Sequence, residues 1–281
     1  MELRFRTNRW KITVAYLLSC TEILPYERRT MAKLILITGA TSGFGKSVAG
    51  RFAAEGWNLI LVGRRTDRLQ TIAQELRQKV AVHTITLDVR DRLAVQRELA
   101  KLPPEFQGID VLVNSAGLAA GIEPAQTADL DNWDAMVDTN IKGLMYMTRA
   151  ILPGMVARNT GHIVNIGSIS GSWPYEGGNV YGASKSFVAQ FSRNIRSDLN
   201  GTDVRVTNIE PGIAETEFSL VRYKGDAARA KEVYRGCQPL TAEDIAEIVY
   251  WVTNLPAHVN VNTLEVMPVC QAWAGYKIHR Q

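Results

Sequence analysis

The chain has 281 residues, 46% of them hydrophobic and 21% charged, the balance of a soluble globular protein with enough material for one sizeable core. Its positive excess is local: residues 1–30 hold six of the 32 Lys and Arg against three of the 28 acids, so the remainder carries 26 against 25 and no basic footprint for nucleic acid. Cys20, Cys237 and Cys270 are far apart, with no C-x-x-C and no histidine at ligand spacing. They read as reduced thiols of a cytosolic protein without a metal site. His83, His162, His258 and His279 are equally scattered and read as surface or packing residues.

Residues 1–30 differ in composition from the rest of the chain. Arg4, Arg6 and Arg9 precede the apolar run Ile12 to Leu18, and Leu17-Leu18-Ser19-Cys20 has a faint likeness to a lipoprotein cleavage box. The run is short for an export signal, is interrupted by Thr13 and Tyr16, and is far too short to span a bilayer. An upstream extension, or a start codon placed too early, is the expectation, with the fold occupying residues 31–281.

Leu34 to Thr38 is apolar almost throughout and predicts a central strand of a parallel sheet. It runs into Gly39-Ala40-Thr41-Ser42-Gly43-Phe44-Gly45 and a helix reaching Arg51 to Glu55. Glycines there let the chain turn tightly and bring a helix N-terminus up to a pyrophosphate. The strand before and the helix after supply the context this motif needs. Asn58 to Val62 predicts a second strand, followed by Gly63-Arg64-Arg65. Near this place an acid would hold a ribose 2′-OH, whereas arginine holds a 2′-phosphate in its planar fork. No acid comes before Asp67, which with Thr66 starts a helix, so the expected cofactor is NADP rather than NAD.

Val82 to Leu87 predicts a third strand closed by Asp88-Val89, where Asp88 can face an adenine amino group. Asp91 to Leu102 is helical and stopped by Pro103-Pro104. Val111 to Val113 gives a fourth strand, then Asn114-Ser115-Ala116-Gly117, small residues where backbone passes close to a ribose. Leu130 to Met155 holds a long helical pattern with Asn140 inside it. Ile163 to Ile166 is a short β-branched strand ahead of Gly167 and Ser168. Val204 to Ile209, closed by Pro211-Gly212, predicts a sixth strand and Leu264 to Met267 a seventh. This alternation over residues 33–270 predicts a single α/β domain, a doubly wound parallel sheet of Rossmann type flanked by helices, with no internal repeat.

Tyr181 and Lys185 are four residues apart, one helical turn if Ala183 to Arg196 is helical. A free phenol, with a pKa of about 10, is a poor acid or base at neutral pH, and a fixed cation beside it favours phenolate. Tyr181 can then trade a proton with an alcohol or carbonyl oxygen that the Ser168 hydroxyl also holds. Taken alone, the pair also fits an amphipathic surface.

With these residues together the chain resembles the short-chain dehydrogenase/reductase family over essentially Lys33 to Gln281. The likeness rests on Thr38-Gly39-x-x-x-Gly43-x-Gly45, Asp88-Val89, Asn114-x-Ala116-Gly117, Asn140, Ser168, Tyr181-x-x-x-Lys185 and Pro211-Gly212. The resemblance implies a catalytic quartet. Asn140 bends its helix and anchors a water linked to Lys185; Lys185 binds the nicotinamide ribose and depresses the Tyr181 pKa; Ser168 orients the substrate oxygen; Tyr181 is the acid/base. It also implies cofactor contacts from Gly39 to Gly45, Arg64, Arg65, Asp88, Val89, Asn114 to Gly117, Tyr181, Lys185, Pro211, Gly212, Ile213 and Thr216. A homotetramer is implied as well, with the helices bearing Asn140 and Tyr181 at its interfaces. The family's usual pair of asparagines is here Asn114-Ser115, which puts one cofactor contact in doubt.

Gly171-Ser172-Trp173-Pro174-Tyr175, Gly177-Gly178-Asn179, Leu255 to Asn260 and His279-Arg280-Gln281 resemble the bacterial NADP-dependent 3-hydroxy acid dehydrogenases within that family. That likeness implies L-serine, L-allo-threonine and 3-hydroxypropionate or malonic semialdehyde as substrates. The loop after Pro211-Gly212 is one residue shorter than in that group, with Glu215 in place of a glycine. Reduction of another small carbonyl, a 3-oxoacyl thioester or a sulfo-aldehyde, would use the same quartet, and a catalytically silent dinucleotide sensor would need only the phosphate turn. Arg222, in the segment after Thr216, is the candidate partner for a substrate carboxylate, since a buried carboxylate needs a cation and a planar fork suits it.

Overall fold

In the computed structural model, residues 32–273 are described. The expectations for residues 1–30 and for His279-Arg280-Gln281 lie outside them. The strands are β1 Leu34–Thr38, β2 Asn58–Gly63, β3 Val82–Thr86, β4 Val111–Asn114, β5 Gly161–Ile166, β6 Val204–Pro211 and β7 Thr263–Val266. All pair in parallel in the order β3-β2-β1-β4-β5-β6-β7. The chain therefore winds outward from β1 in one direction, returns, and winds outward from β4 in the other. That reversal opens a crevice beyond the carboxyl ends of β1 and β4, the place where such sheets take ligands.

Residues alternate between the two faces of β1 because successive side chains of a strand point oppositely. Ile35 and Ile37 pack with Val48 and Phe52 of α1 (Gly43–Ala54), Leu69 of α2 (Thr66–Leu76) and Val249 of α9 (Ala242–Thr253). Leu34 and Leu36 pack with Val95 of α3 (Arg92–Ala100), Met147 and Ile151 of α5 (Leu144–Ala157) and Ile195 of α6 (Asn179–Asp198). Two apolar layers thus clamp one sheet, which is why its central strands carry apolar side chains on both faces.

The long helical pattern from Leu130 is α4 (Leu130–Met136), then a π-helical stretch Val137–Gly143, then α5. A π stretch widens the helix by one residue and turns its side chains. Here it lets Asn140, 2% exposed, aim its amide inward. The helix bearing Tyr181 starts at Asn179, four residues before the start that the sequence pattern predicts, so Tyr181 and Lys185 both lie within α6. Two short helices, α7 (Glu217–Arg222) and α8 (Ala227–Glu232), follow β6, and α7 lines the crevice.

The expectation of reduced, separate thiols does not hold for two of the cysteines. Cys237, between α8 and α9, and Cys270, beyond β7, are joined in a disulfide with Cα atoms 5.7 Å apart. Their 33-residue separation hides this, because β7 pairs with β6 and so carries the following segment back to the α8–α9 loop.

His162 on β5 is 2% exposed, hydrogen-bonded through Nε2 to Thr207 Oγ1 at 2.8 Å, and burial pushes its imidazole down to about 3. It is a packing residue.

Candidate active site

Two adjoining lobes make up the crevice, sharing Phe44, Ser115, Gly117, Thr216 and Phe218. The first is built on the turn after β1. Gly39 has φ +68°, and a Cβ there would stand 3.0 Å from the backbone of Ala116. A Cβ on Gly45 would come 2.5 Å from the Gly39 carbonyl oxygen, so only glycine lets α1 begin so close to the turn. Thr38 Oγ1 accepts from Ser115 N and Ala116 N, both at 3.0 Å, which pins the segment after β4 beside that turn. Ser42 caps α1 without its side chain accepting a helix N–H, so first-turn amides remain for an anion.

Thr41, Ser42, Gly43, Arg64, Arg65, Asp88, Val89 and Ala116, all expected at the cofactor from the sequence, are brought together along this lobe. Ala40 and Gly45 are buried beneath it. Asn114 does not reach it: its Nδ2 donates to Thr148 Oγ1 at 3.0 Å and Asn165 Oδ1 at 2.9 Å in the interior. Arg65 lies across the turn, donating from Nη2 to Thr41 Oγ1 at 2.9 Å and Ser42 Oγ at 2.7 Å. Its Nη1 meets Glu217 Oε2 at 2.9 Å, while Arg68 meets Glu217 Oε1 at 2.7 Å. Arg65, foremost, holds the Glu217 carboxyl below the usual carboxylate range. Arg64 is a looser neighbour of Asp88, 3.9 Å away. Sequence reasoning missed Thr139, whose buried Oγ1 in this lobe has no hydrogen-bond partner. An arginine pair, free amides and an orphaned hydroxyl suit a dinucleotide bearing a 2′-phosphate.

The second lobe gathers Ser168, Tyr181, Lys185, Pro211, Gly212, Ile213 and Arg222. Ser168 stands just past the end of β5, in extended conformation, with its Oγ accepting from Ser170 N at 3.1 Å. Lys185 Nζ donates to the Ile166 carbonyl at 2.7 Å and lies 5.8 Å from the Tyr181 ring centroid. Asn140 lines neither lobe. It grips the strand-following segment, Oδ1 accepting from Leu118 N at 2.9 Å and Nδ2 donating to Leu118 O at 2.9 Å and Ser184 Oγ at 3.0 Å. A Cβ on Gly117 would stand 3.3 Å from Asn140 Oδ1 and 3.7 Å from Lys185 Nζ, so the bare glycine keeps this corner open.

The expected lowering of the Tyr181 pKa does not hold: the fold raises it. Burial, in contact with Phe218 at 5.5 Å between ring centroids, pushes the phenol up to about 12; hydrogen bonding to Ser168 and the charge of Arg222 pull it down by less. Burial likewise pushes the Lys185 ammonium down to about 8. Desolvation of both charged forms outweighs their proximity.

Lys185 gives a stability test. Unfolded, it keeps its proton up to 10.5; folded, it loses it near 8. Between those values the unfolded chain binds more protons, so stability rises with pH across that window. Below it the fold carries the whole cost of the buried ammonium, about 3 kcal/mol at roughly 1.4 kcal/mol per pH unit. Lys185→Met is expected to melt higher than the parent at pH 7 and to lose that pH-dependent gain. A lower melting point at pH 7 would show that the bond to Ile166 outweighs burial.

Arg222 reaches the same lobe from the end of α7. Its Nη2 donates to Tyr175 Oη at 2.9 Å, its guanidinium carbon lies 6.0 Å from the Tyr181 ring, and its buried Nε has no partner. The exposed Glu215 is held by backbone, its N–H donating to Leu240 O at 2.8 Å. Tyr175, Gln271 and Trp273 also line the lobe and are not marked as site residues by the sequence. Among the described residues, no group of three or more His, Cys, Asp or Glu is placed to hold a metal ion.

A family model described as short chain dehydrogenase matches residues 33–225. The chain is 57% identical over 249 residues to the NADP-dependent 3-hydroxy acid dehydrogenase YdfG of Escherichia coli strain K12, covering 88% of this chain and 100% of that protein. It is 55% identical over 251 residues to Sulfoacetaldehyde reductase 2 of Chromohalobacter salexigens, covering 89% and 100%. Among solved structures, the closed form of serine dehydrogenase complexed with NADP+ is similar at a TM-score of 0.86 and 57% identity, covering 88% of this chain and 100% of that one.

Proposed function

The chain belongs to the short-chain dehydrogenase family, and from that premise we propose that it is an NADP-dependent oxidoreductase acting at the 3-position of short 3-hydroxy acids. L-Serine, L-allo-threonine and the pair 3-hydroxypropionate and malonic semialdehyde are the proposed substrates. The cofactor, when bound, supplies or accepts a hydride at nicotinamide C4. Gly39 to Gly45 and the start of α1 would hold its pyrophosphate, Arg64 and Arg65 its 2′-phosphate, and Asp88 and Val89 its adenine side. Ser115 to Gly117 and Lys185 would hold ribose, and Pro211, Gly212, Ile213 and Thr216 the nicotinamide end. Ser168 orients the substrate oxygen and Tyr181 exchanges a proton with it. A phenol held near 12 keeps its proton at neutral pH, the form that donates in the reductive direction.

The observation that carries the substrate class is the buried, partnerless Nε of Arg222 beside Tyr181. A desolvated guanidinium nitrogen without an acceptor is costly, and an anionic substrate group supplies one. Reduction of a sulfo-aldehyde is a second reading, supported by the 55% identical sulfoacetaldehyde reductase. Both classes put an acidic group on a short carbonyl compound, and Arg222 serves either. Arg222→Ala is expected to raise KM for 3-hydroxypropionate and sulfoacetaldehyde about tenfold or more, the loss of one charge-assisted hydrogen bond, and to change little for a neutral aldehyde of similar size. An equal loss on charged and neutral substrates would remove Arg222 from substrate choice.

The reading that the folding unit follows residue 30 is supported by the family match, which begins at residue 33, and by the Escherichia coli protein, which aligns along its whole length with 88% of this chain. A chain beginning at Met31 is expected to equal the full chain in activity and melting temperature; aggregation or inactivity would make residues 1–30 part of the fold. The cytoplasm and a homotetramer complete the reading. Apolar Leu130, Met145 and Val156, exposed on the helices flanking the π stretch, support an interface there.

A further inference from the structure

The Cys237–Cys270 bond fastens together two segments that wall the second lobe. On one side, Val233 and Tyr234 precede Cys237, and Tyr234 Oη donates to the Ala214 carbonyl at 3.1 Å and is hydrogen-bonded to Ser219 of α7. On the other, Gln271 and Trp273 follow Cys270. Gln271 Oε1 accepts from Ile213 N at 2.7 Å, and the Trp273 and Trp173 indoles both donate to the Glu265 carboxylate, at 3.1 and 2.9 Å. Each segment reaches the root of the α7 cover through one or two polar contacts. Besides a 3.5 Å contact of Cys270 Sγ with the Gln238 carbonyl, the covalent bond joins them to each other around the mouth of the lobe.

Cys270 is exposed and Cys237 partly so, so solution thiols and disulfides can reach the pair. Its Cα separation of 5.7 Å lies in the ordinary range for disulfides, so the backbone needs no rearrangement to make or break the bond. A reachable bond of this kind in a compartment that keeps thiols reduced is a labile one.

We propose that Cys237 and Cys270 form a thiol–disulfide switch that sets how firmly the substrate lobe is closed. The oxidant is a low-molecular-weight disulfide. One cysteine thiolate attacks it and releases one small thiol, and the second thiolate displaces the other; two protein thiols are oxidised and one small disulfide is reduced to two thiols. Bonded, the pair holds Tyr234 and Gln271 in place against the α7 root. Reduced, the α8–α9 loop keeps its backbone pairing of Leu240 with Ile213 and Glu215 and the Tyr234 contacts to Ala214 and Ser219, while the C-terminal segment moves independently of it. The consequence for turnover rests on the proposed reading of that lobe as the substrate site.

The test equilibrates the full chain over a series of reduced-to-oxidised glutathione ratios. Non-reducing peptide mapping follows the cross-linked peptide, and hydrogen exchange follows residues 233–240 and 267–273. KM for 3-hydroxypropionate and for sulfoacetaldehyde, and Kd for NADPH, are measured at each ratio. Cross-linking is expected to rise with oxidation, exchange in both segments to slow together, and substrate KM to fall about fivefold or more, the lower end of usual coupling between sites. The NADPH Kd is expected to stay level, and Cys237→Ser and Cys270→Ser to be insensitive to the ratio in every readout. Absence of the cross-link at the most oxidising ratio overturns the switch, as does a KM that stays flat while the cross-link goes to completion. If neither substrate turns over, the reading of the lobe falls. Coordinated slowing of exchange then still supports the switch, and unchanged exchange overturns it.

Discussion

Tyr181→Phe is expected to fold, to bind NADPH with the affinity of the parent, and to lose turnover by about 10² to 10⁴, the scale of general acid–base catalysis. The phenyl ring keeps its packing on Phe218, so the change removes one oxygen and little else. That oxygen is hydrogen-bonded to Ser168 and lies in the lobe that also holds Lys185 and Arg222. Lys185, one helical turn further along α6, lines the same lobe. Single-turnover NADPH oxidation with malonic semialdehyde, followed by absorbance, measures the loss, and fluorescence titration measures binding. A folded variant turning over at near the parent rate would sink the assignment. Weakened NADPH binding of equal size would instead make Tyr181 a binding residue.

The second large effect is on cofactor choice. Replacing Arg64 and Arg65 with Ala is expected to weaken NADPH by about 1.5–3 kcal/mol for each charge-assisted hydrogen bond removed, while NADH changes little. Most of that loss is assigned to Arg65. Its guanidinium already lies over Thr41 and Ser42 within hydrogen-bond reach, whereas Arg64 is 58% exposed and lightly paired. Arg65→Ala alone should then lose more than Arg64→Ala. Dissociation constants for both cofactors, at one fixed ionic strength, decide it. Equal losses for NADPH and NADH would mean that the arginines do not read the 2′-phosphate.

The sheet was legible because its strands are buried on both faces. Leu34–Thr38 is bounded by Lys33 and Gly39, so its limits follow from the apolar run alone. At the sheet edge, Thr263–Val266 is only partly buried and its pattern is weaker, and the expected strand lies one residue further on. The sequence pattern starts α6 late because Gly178 and Gly182 mask a helix that tertiary contact supports. Most lining residues of the phosphate turn were readable, since glycine spacing answers to local backbone geometry. What could not be read depends on residues brought together from afar. The direction of the Tyr181 pKa is set by burial, and its contact with Phe218 crosses from α6 to α7. Tyr175 meets Arg222 across 47 positions, and the π stretch that aims Asn140 has no sequence signature of its own.

The strand order has a consequence for how the chain assembles as it is made. β1 finds β2 early, Leu34 lying opposite Asn58, but its other neighbour is β4, with Ile35 opposite Val111. Until the chain has grown past that point, β1 is an open sheet edge of apolar residues that end up wholly enclosed, the kind of surface that recruits foreign strands. The reversal that creates the ligand crevice is therefore also what delays closure of the core. The half-sheet β3-β2-β1 cannot complete its packing until Met147 and Ile151, further along still, have been synthesised. Folding of this architecture is governed by distant pairings rather than local ones, and is slow for that reason.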